Sequence, residues 1–234
     1  MARDFVKSVN TLQAFTNGSL LNPQILKAGI VLLDPVTTEF ASVVVLQYNP
    51  DQLSRTLQVQ ATSGESGSRS EALRLKGPPV ETFKIEAEID ATDQLELVTP
   101  NATVTEVGIF PQLAALEALI TPRSDQLVDT ESLLARGAVE IAPMESPLAL
   151  FVWSVNRVVP VRVTELSITE EAFDTALNPL RAKVSLTMRG LTVNDLGFEH
   201  RGGLLFLAYL KNKEALARRA VGGVLKDLGL DSPP

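Results

Sequence analysis

Three acidic side chains, Glu86, Glu88 and Asp90, stand two residues apart in the run TFKIEAEID. On an extended chain that spacing places them on one face, a carboxylate row that could hold a hard cation through oxygen. More often such a row is a solvated face, or the charged half of a contact between subunits. Asp90 and Asp93 flank the end of the same segment, where aspartate shapes turns more readily than it binds metal. His200 is the chain's one histidine and its one candidate imidazole base. Between Glu199 and Arg201, just ahead of a helical pattern, it reads as a surface or capping residue. Trp153 and Phe151 could line a ligand site, but their segment is apolar throughout and reads as core. The sequence carries no nucleophile elbow, phosphate-binding glycine loop, HExxH or calcium loop. With no cysteine there are no disulfides and no thiolate ligands. The expectation is a protein that is not an enzyme, with no catalytic residue, no cofactor and no metal.

The elements that would position these residues are mostly strands. In Thr82–Asp90, Phe83, Ile85, Ala87 and Ile89 alternate with Lys84, Glu86, Glu88 and Asp90. Period two predicts a half-buried strand with one wet face. Leu53–Gln60 repeats the pattern with Leu53, Leu57 and Val59 on the apolar side, and Arg55 interrupts that row. Arg181–Arg189 alternates again, with Ala182, Val184, Leu186 and Met188 inside. Lys27–Leu33 predicts a short strand, and Phe40–Tyr48, nearly all apolar, a strand covered on both faces. Leu148–Val155 predicts a core strand, Asn156-Arg157 a tight turn, and Val158–Val163 the returning strand. The apolar phase then changes from odd (Val161, Val163) to even (Leu166, Ile168), which predicts a bulge near Thr164–Glu165.

Helical spacing is rarer. Leu113, Leu116, Leu119 and Ile120 predict a helix after Pro111, stopped by Pro122. Asp129–Arg136 predicts a short helix capped by Asp129 or Thr130. Gly202–Arg219 predicts a helix with Leu205, Leu207, Leu210 and Leu216 on its apolar side and Lys211, Lys213, Glu214, Arg218 and Arg219 on its wet side. Residues 61–72 are rich in Gly and Ser and predict a long exposed loop, either solvated or ordered against a neighbouring subunit. Asn49-Pro50 and Asn178-Pro179 each lead into an alternating strand that starts near an arginine, a weak internal echo. The expected division is an N-terminal arm at 1–24, a β domain at 25–200, and a C-terminal helix and tail at 201–234.

Composition narrows the class. Of 234 residues 45% are hydrophobic and 21% charged, enough apolar material for a sizeable core. The net charge of −7 argues against nucleic acid, whose phosphates call for basic surface. No apolar run approaches the ~18 residues of a membrane helix, and Met1–Asn10 has no signal-like apolar region. Synthesis and folding in the cytoplasm are expected, without insertion into a membrane.

Several blocks then occur together and in order: VVVLQYNPDQLSRTL, RLKGPPVETFKIEAEIDATD, GIFPQLAALEALI and LALFVWSVNRVVPVRVTELSITEEAFDTALNPLRAKVSLTMRGLTVNDL. Across roughly residues 25–215 the chain resembles the tube-domain family of contractile injection systems, phage-tail-like particles of the antifeeding-prophage type. The resemblance implies a tail-tube β-barrel of two packed antiparallel sheets with a flanking helix, and six copies closing a homo-hexameric ring around a channel. It implies a tube initiator or baseplate hub that joins an inner tube protein above to a spike or hub protein below, with baseplate wedge proteins alongside. It also implies a particle that can be released from the cell. Many members continue into a peptidoglycan-binding LysM domain. The residues after Leu210 are too few for one, so no direct peptidoglycan binding is expected. Two alternatives stand beside this reading: an inner-tube shaft protein, and a β-barrel that binds a small molecule or carbohydrate. If the Gly/Ser loop serves assembly, removing residues 63–70 is expected to leave a folded chain that no longer forms rings.

Overall fold

The computed structural model describes residues 26–34, 40–61, 74–95, 102–136, 146–220 and 222–223. The strands are β1 (Gly29–Leu33), β2 (Phe40–Val45), β3 (Leu53–Gln58), β4 (Val80–Asp90), β5 (Leu148–Ser154), β6 (Arg157–Phe173) and β7 (Pro179–Gly190). They form one antiparallel sheet in the order β2-β1-β5-β6-β7-β4-β3. The helices are α1 (Thr92–Leu95), α2 (Ala102–Val107), α3 (Phe110–Glu117), α4 (Ser124–Ala135), α5 (Val193–Leu196) and α6 (Arg201–Ala217).

The fold is mainly β with several helices, as the alternation requires. Its two layers are halves of a single sheet that curls on itself. Phe83 on β4 and Phe151 on β5 are separated in the sheet by β6 and β7, which in a flat sheet would place them ~14 Å apart. Their ring centroids lie 5.4 Å apart, and both residues are fully buried. The long strands β6 and β7 run through the bend. The predicted bulge is there: the β6–β7 register shifts between Val163 and Glu165, and the Thr164 hydroxyl donates to the Thr187 carbonyl at 3.1 Å. An extra residue on one strand increases local twist and bend, which lets one ladder serve both layers.

The concave side holds the main core. Phe83, Ile85 and Ala87 from β4 meet Leu186 and Met188 from β7, Val159 and Val161 from β6, Phe151 from β5 and Ile30 from β1. Each large side chain buried there contributes ~1.5–3 kcal/mol. A second cluster joins Ile89, Ala182 and Val184 to Val104, Ile109, Leu113 and Leu116, so α2 and α3 cover one end of the curl. Gly108 makes that end possible. Its φ is +59°, and a Cβ there would lie 2.2 Å from the Pro179 carbonyl oxygen.

The two Asn-Pro segments have matching roles. Asn49 accepts from the Ala28 N–H at 2.9 Å and donates to the Leu26 carbonyl at 2.8 Å. Asn178 donates to the Glu106 carbonyl at 3.0 Å and to Asp174 at 2.8 Å. The strands they introduce, β3 and β7, flank β4 on its two sides.

The structure corrects several local expectations. β2 is not covered on both faces; it is an edge strand with Val43 and Val45 exposed, because its second ladder neighbour is missing among the described residues. Leu57 and Val59 are exposed as well, since β3 is the opposite edge and its far end runs past the core. Asp90 is buried rather than wet. Helix α4 begins at Ser124 with Arg123 as N-cap, so Asp129 and Thr130 lie inside it. The buried face of α6 is Gly202, Gly203, Phe206 and Tyr209, while Leu204 and Leu216 face outward. The reason is a close approach: a Cβ on Gly203 would meet the Gly197 carbonyl oxygen at 1.9 Å, so only the glycine side can seat against α5. The expected N-terminal arm, all but the base of the Gly/Ser loop, and the end of the C-terminal tail lie outside the described residues.

Candidate functional site

The residues singled out by chemistry do not converge. Glu86 and Glu88 lie on the exposed convex face of β4, as the alternation predicts. Lys84 stands 3.6 Å from Glu86, and Arg181 on β7 stands 3.4 Å from Glu88 and 2.6 Å from Asp90. Lys183 pairs with Glu171 at 2.8 Å. The row is therefore laced by cations, Lys84 on β4 itself and Arg181 on β7, a solvated ion-pair face. Asp90 turns inward at the strand end and accepts from the Thr92 N–H at 2.8 Å and its hydroxyl at 2.5 Å. Burial opposes ionisation of Asp90, but the Thr92 donors and Arg181 outweigh it and hold its carboxyl below the usual range. His200 is the N-cap of α6 and accepts from the Gly202 N–H at 3.1 Å. Phe151 is core, and Trp153 packs against it at 6.0 Å.

One cluster escaped the sequence reading. Glu81, nearly buried on β4, accepts from the Arg55 Nε at 2.8 Å and is also bonded by the Arg55 Nη2. The Tyr209 hydroxyl donates to the same carboxylate at 3.3 Å, and Lys213 Nζ lies 3.3 Å away. Burial and the nearby Glu81 charge raise the Tyr209 phenol above its usual range. Desolvation of Arg55 is outweighed by Glu81, so its guanidinium is held more firmly charged. The carboxylate ties β3, β4 and α6 together. Two signals pointed to it: Arg55 breaks an apolar row, and Glu81 shares the odd phase of Phe83 and Ile85.

What the geometry does present is edges. β2 carries Val43 and Val45 (56% exposed) beside a ladder unpaired among the described residues, and β3 carries Leu57, with Val59 (65% exposed) just past its end, beside another. The curl stops short of joining them. At one point a side chain stands in for the missing strand: the Gln47 amide donates to the Asp90 carbonyl at 2.6 Å and accepts from the Asp90 N–H at 2.9 Å. Beside this bridge β2, β4 and α3 leave a cavity of 490 Å³ lined by Val43, Leu46, Ile85, Ile89, Ala115 and Leu116. Lys27 and Gln112 also line it, and the side-chain Oε1 of Gln112 is buried without a hydrogen-bond partner among the described residues. The base of the Gly/Ser loop is pinned by a bridge between Ala61 and Leu75 and by the Lys76 N–H on the Gln60 carbonyl at 2.8 Å. The loop thus springs from the β3 edge.

No protein-family model matches the chain, and no curated protein matches it. Among solved structures it is similar to a chain from the tail of an empty gene transfer agent particle with C6 symmetry, at 11% identity over 70% of this chain and 90% of that one, with a TM-score of 0.27. It is also similar to a chain from the virion of a native gene transfer agent particle, at 13% identity over 72% and 95% of the two chains, again with a TM-score of 0.27. At these scores the superposition is partial and assigns no role to this chain.

Proposed function

We propose that this chain is a non-enzymatic structural subunit of a phage-tail-like particle, which closes with copies of itself into a six-membered ring. Within such a particle it serves as the tube initiator or baseplate hub, between the inner tube and the spike. The observation that carries this reading is the pair of ladders at β2 and β3 left open among the described residues and flanked by exposed valine and leucine. An unpaired edge with apolar neighbours is an aggregation liability unless another strand covers it. Edges of two different strands on opposite margins make a heterologous contact, which closes into a ring when the rotation between copies permits. The ordered sequence blocks from QYNP to NDL support the same reading.

The test is the mass and shape of the purified chain. A ring has six times the 25.2 kDa mass of the protomer, and negative-stain images show six-fold particles. A monomer at every concentration, with no ring when the neighbouring tube and spike proteins are added, overturns the proposal. The 490 Å³ cavity favours a second reading, a binder of a small apolar ligand. A ligand that raises the melting temperature of a strictly monomeric chain would select it.

A further inference from the structure

Helix α4 has no buried residue, although four of its twelve positions are leucine or valine. Leu127, Val128, Leu134 and Ala135 recur at i, i+1, i+7 and i+8, which places them on one stripe with Glu131 at its centre. Val128 is 68% exposed. Asp125, which pairs with Arg123 at 2.8 Å, borders the N-terminal end of the stripe, Asp129 faces away from it, and the helix carries no basic residue. An isolated twelve-residue helix is marginal in water, so a helix with this stripe needs a covering surface.

The same chain displays a complement. The outward face of α6 is Leu204, Ala208, Lys211 and Ala215, all exposed, and it runs on to Arg218 and Arg219. Its alanines form a flat strip that admits large side chains from a second helix, and Lys211 sits at its centre as Glu131 sits at the centre of the other. Lys213, which pairs with Glu81, faces away from this strip.

We infer that α4 of one copy docks antiparallel on the outward face of α6 of the next copy. This rests on the self-assembly reading and adds a second, helical contact to the strand edges. Charge selects the antiparallel direction. With Glu131 opposite Lys211, that direction brings Asp125 to the level of Arg218 and Arg219, and it seats Leu127 and Val128 over Ala215 and Leu134 over Ala208. The parallel direction moves Asp125 away from the arginines. Because donor and acceptor are different surfaces, the contact is heterologous and propagates around a ring.

Two measurements test it. The chain has no cysteine, so Leu134→Cys and Ala208→Cys can be made in separate chains of different tag length, mixed and mildly oxidised. The expected product is the disulfide between the two chains, without a comparable product from Leu134→Cys with Ala215→Cys. Separately, Glu131→Lys and Lys211→Glu should each weaken assembly at least about tenfold in concentration, and the two together should restore it. Circular dichroism confirms that these surface variants stay folded. If wild-type rings form but no Leu134–Ala208 cross-link appears and both reversals assemble normally, this inference fails alone. If the wild type never assembles, it fails together with the reading it rests on.

Discussion

Replacing Glu81 by alanine removes a carboxylate that joins β3, β4 and α6. Its side chain is 8% exposed and is shared by Arg55, Tyr209 and Lys213. Truncation strips the Arg55 guanidinium (27% exposed) of its carboxylate, leaving it only the Tyr209 hydroxyl at 3.4 Å, and leaves that hydroxyl without its acceptor. Removing one partner of a buried ion pair costs ~3–5 kcal/mol. Arg55 and Lys213 reach water in part, which brings the expected loss to about 2–4 kcal/mol after screening. For a chain of this size that is roughly 5–15 °C in melting temperature. Replacing both members, Glu81→Leu with Arg55→Met, should recover more than half of the loss, because no uncompensated charge then stays buried. Tyr209→Phe should cost about 1 kcal/mol, the value of one hydrogen bond. Urea unfolding followed by circular dichroism gives all three numbers on one scale. A Glu81→Ala midpoint within experimental error of wild type would refute the claim that this cluster anchors α6 to the sheet.

Ile85→Asp should prevent folding, since Ile85 is 2% exposed at the centre of the main core, whereas Glu86→Lys on the wet face should leave the melting temperature within about 1 °C; thermal melts compare them directly. Asp90 and Asp195 have folded-state pKa values below the usual range, Asp90 as described and Asp195 because Thr192 and Arg189 outweigh its burial. Each therefore adds stability that is complete above the unfolded carboxylate range and is lost as pH falls below about 4. Tyr209 is shifted upward, so its contribution holds below the unfolded value near 10 and disappears as pH rises through the folded one. A stability profile flat below pH 4, or Tyr209→Phe with an unchanged alkaline limb, would contradict these assignments. Val45→Lys on the β2 edge should abolish rings and leave a folded monomer, read by native mass spectrometry. Deleting residues 63–70 should also spare the fold, because the bridge between Ala61 and Leu75 closes the loop at its base; rings of normal yield would show that the loop has no part in assembly.

Much of this molecule was decided locally. A period of two in Thr82–Asp90 and Arg181–Arg189 leaves no other face to bury, and the phase change after Val163 cannot be accommodated without an extra residue on one strand. His200 ahead of Gly202 caps a helix through atoms two residues apart. Such features depend on neighbours in sequence, and the amino acids alone determine them. The edge status of β2 was not of this kind. VVVL reads the same whether a strand lies between two others or at a margin, and only the order β2-β1-β5-β6-β7-β4-β3 exposes Val43 and Val45. The same holds for α6, whose leucines outnumber its buried side chains. Which stripe faces the sheet was decided by the close approach of Gly203 to the Gly197 carbonyl, a contact that no hydropathy pattern records. Glu81 and Tyr209 are 128 residues apart and meet only once the sheet has curled. Strand alternation belongs to the sequence because its cause is the pleat of a single chain; partner choice, edges and the buried carboxylate belong to the tertiary fold because their causes are distances between segments that no local pattern encodes.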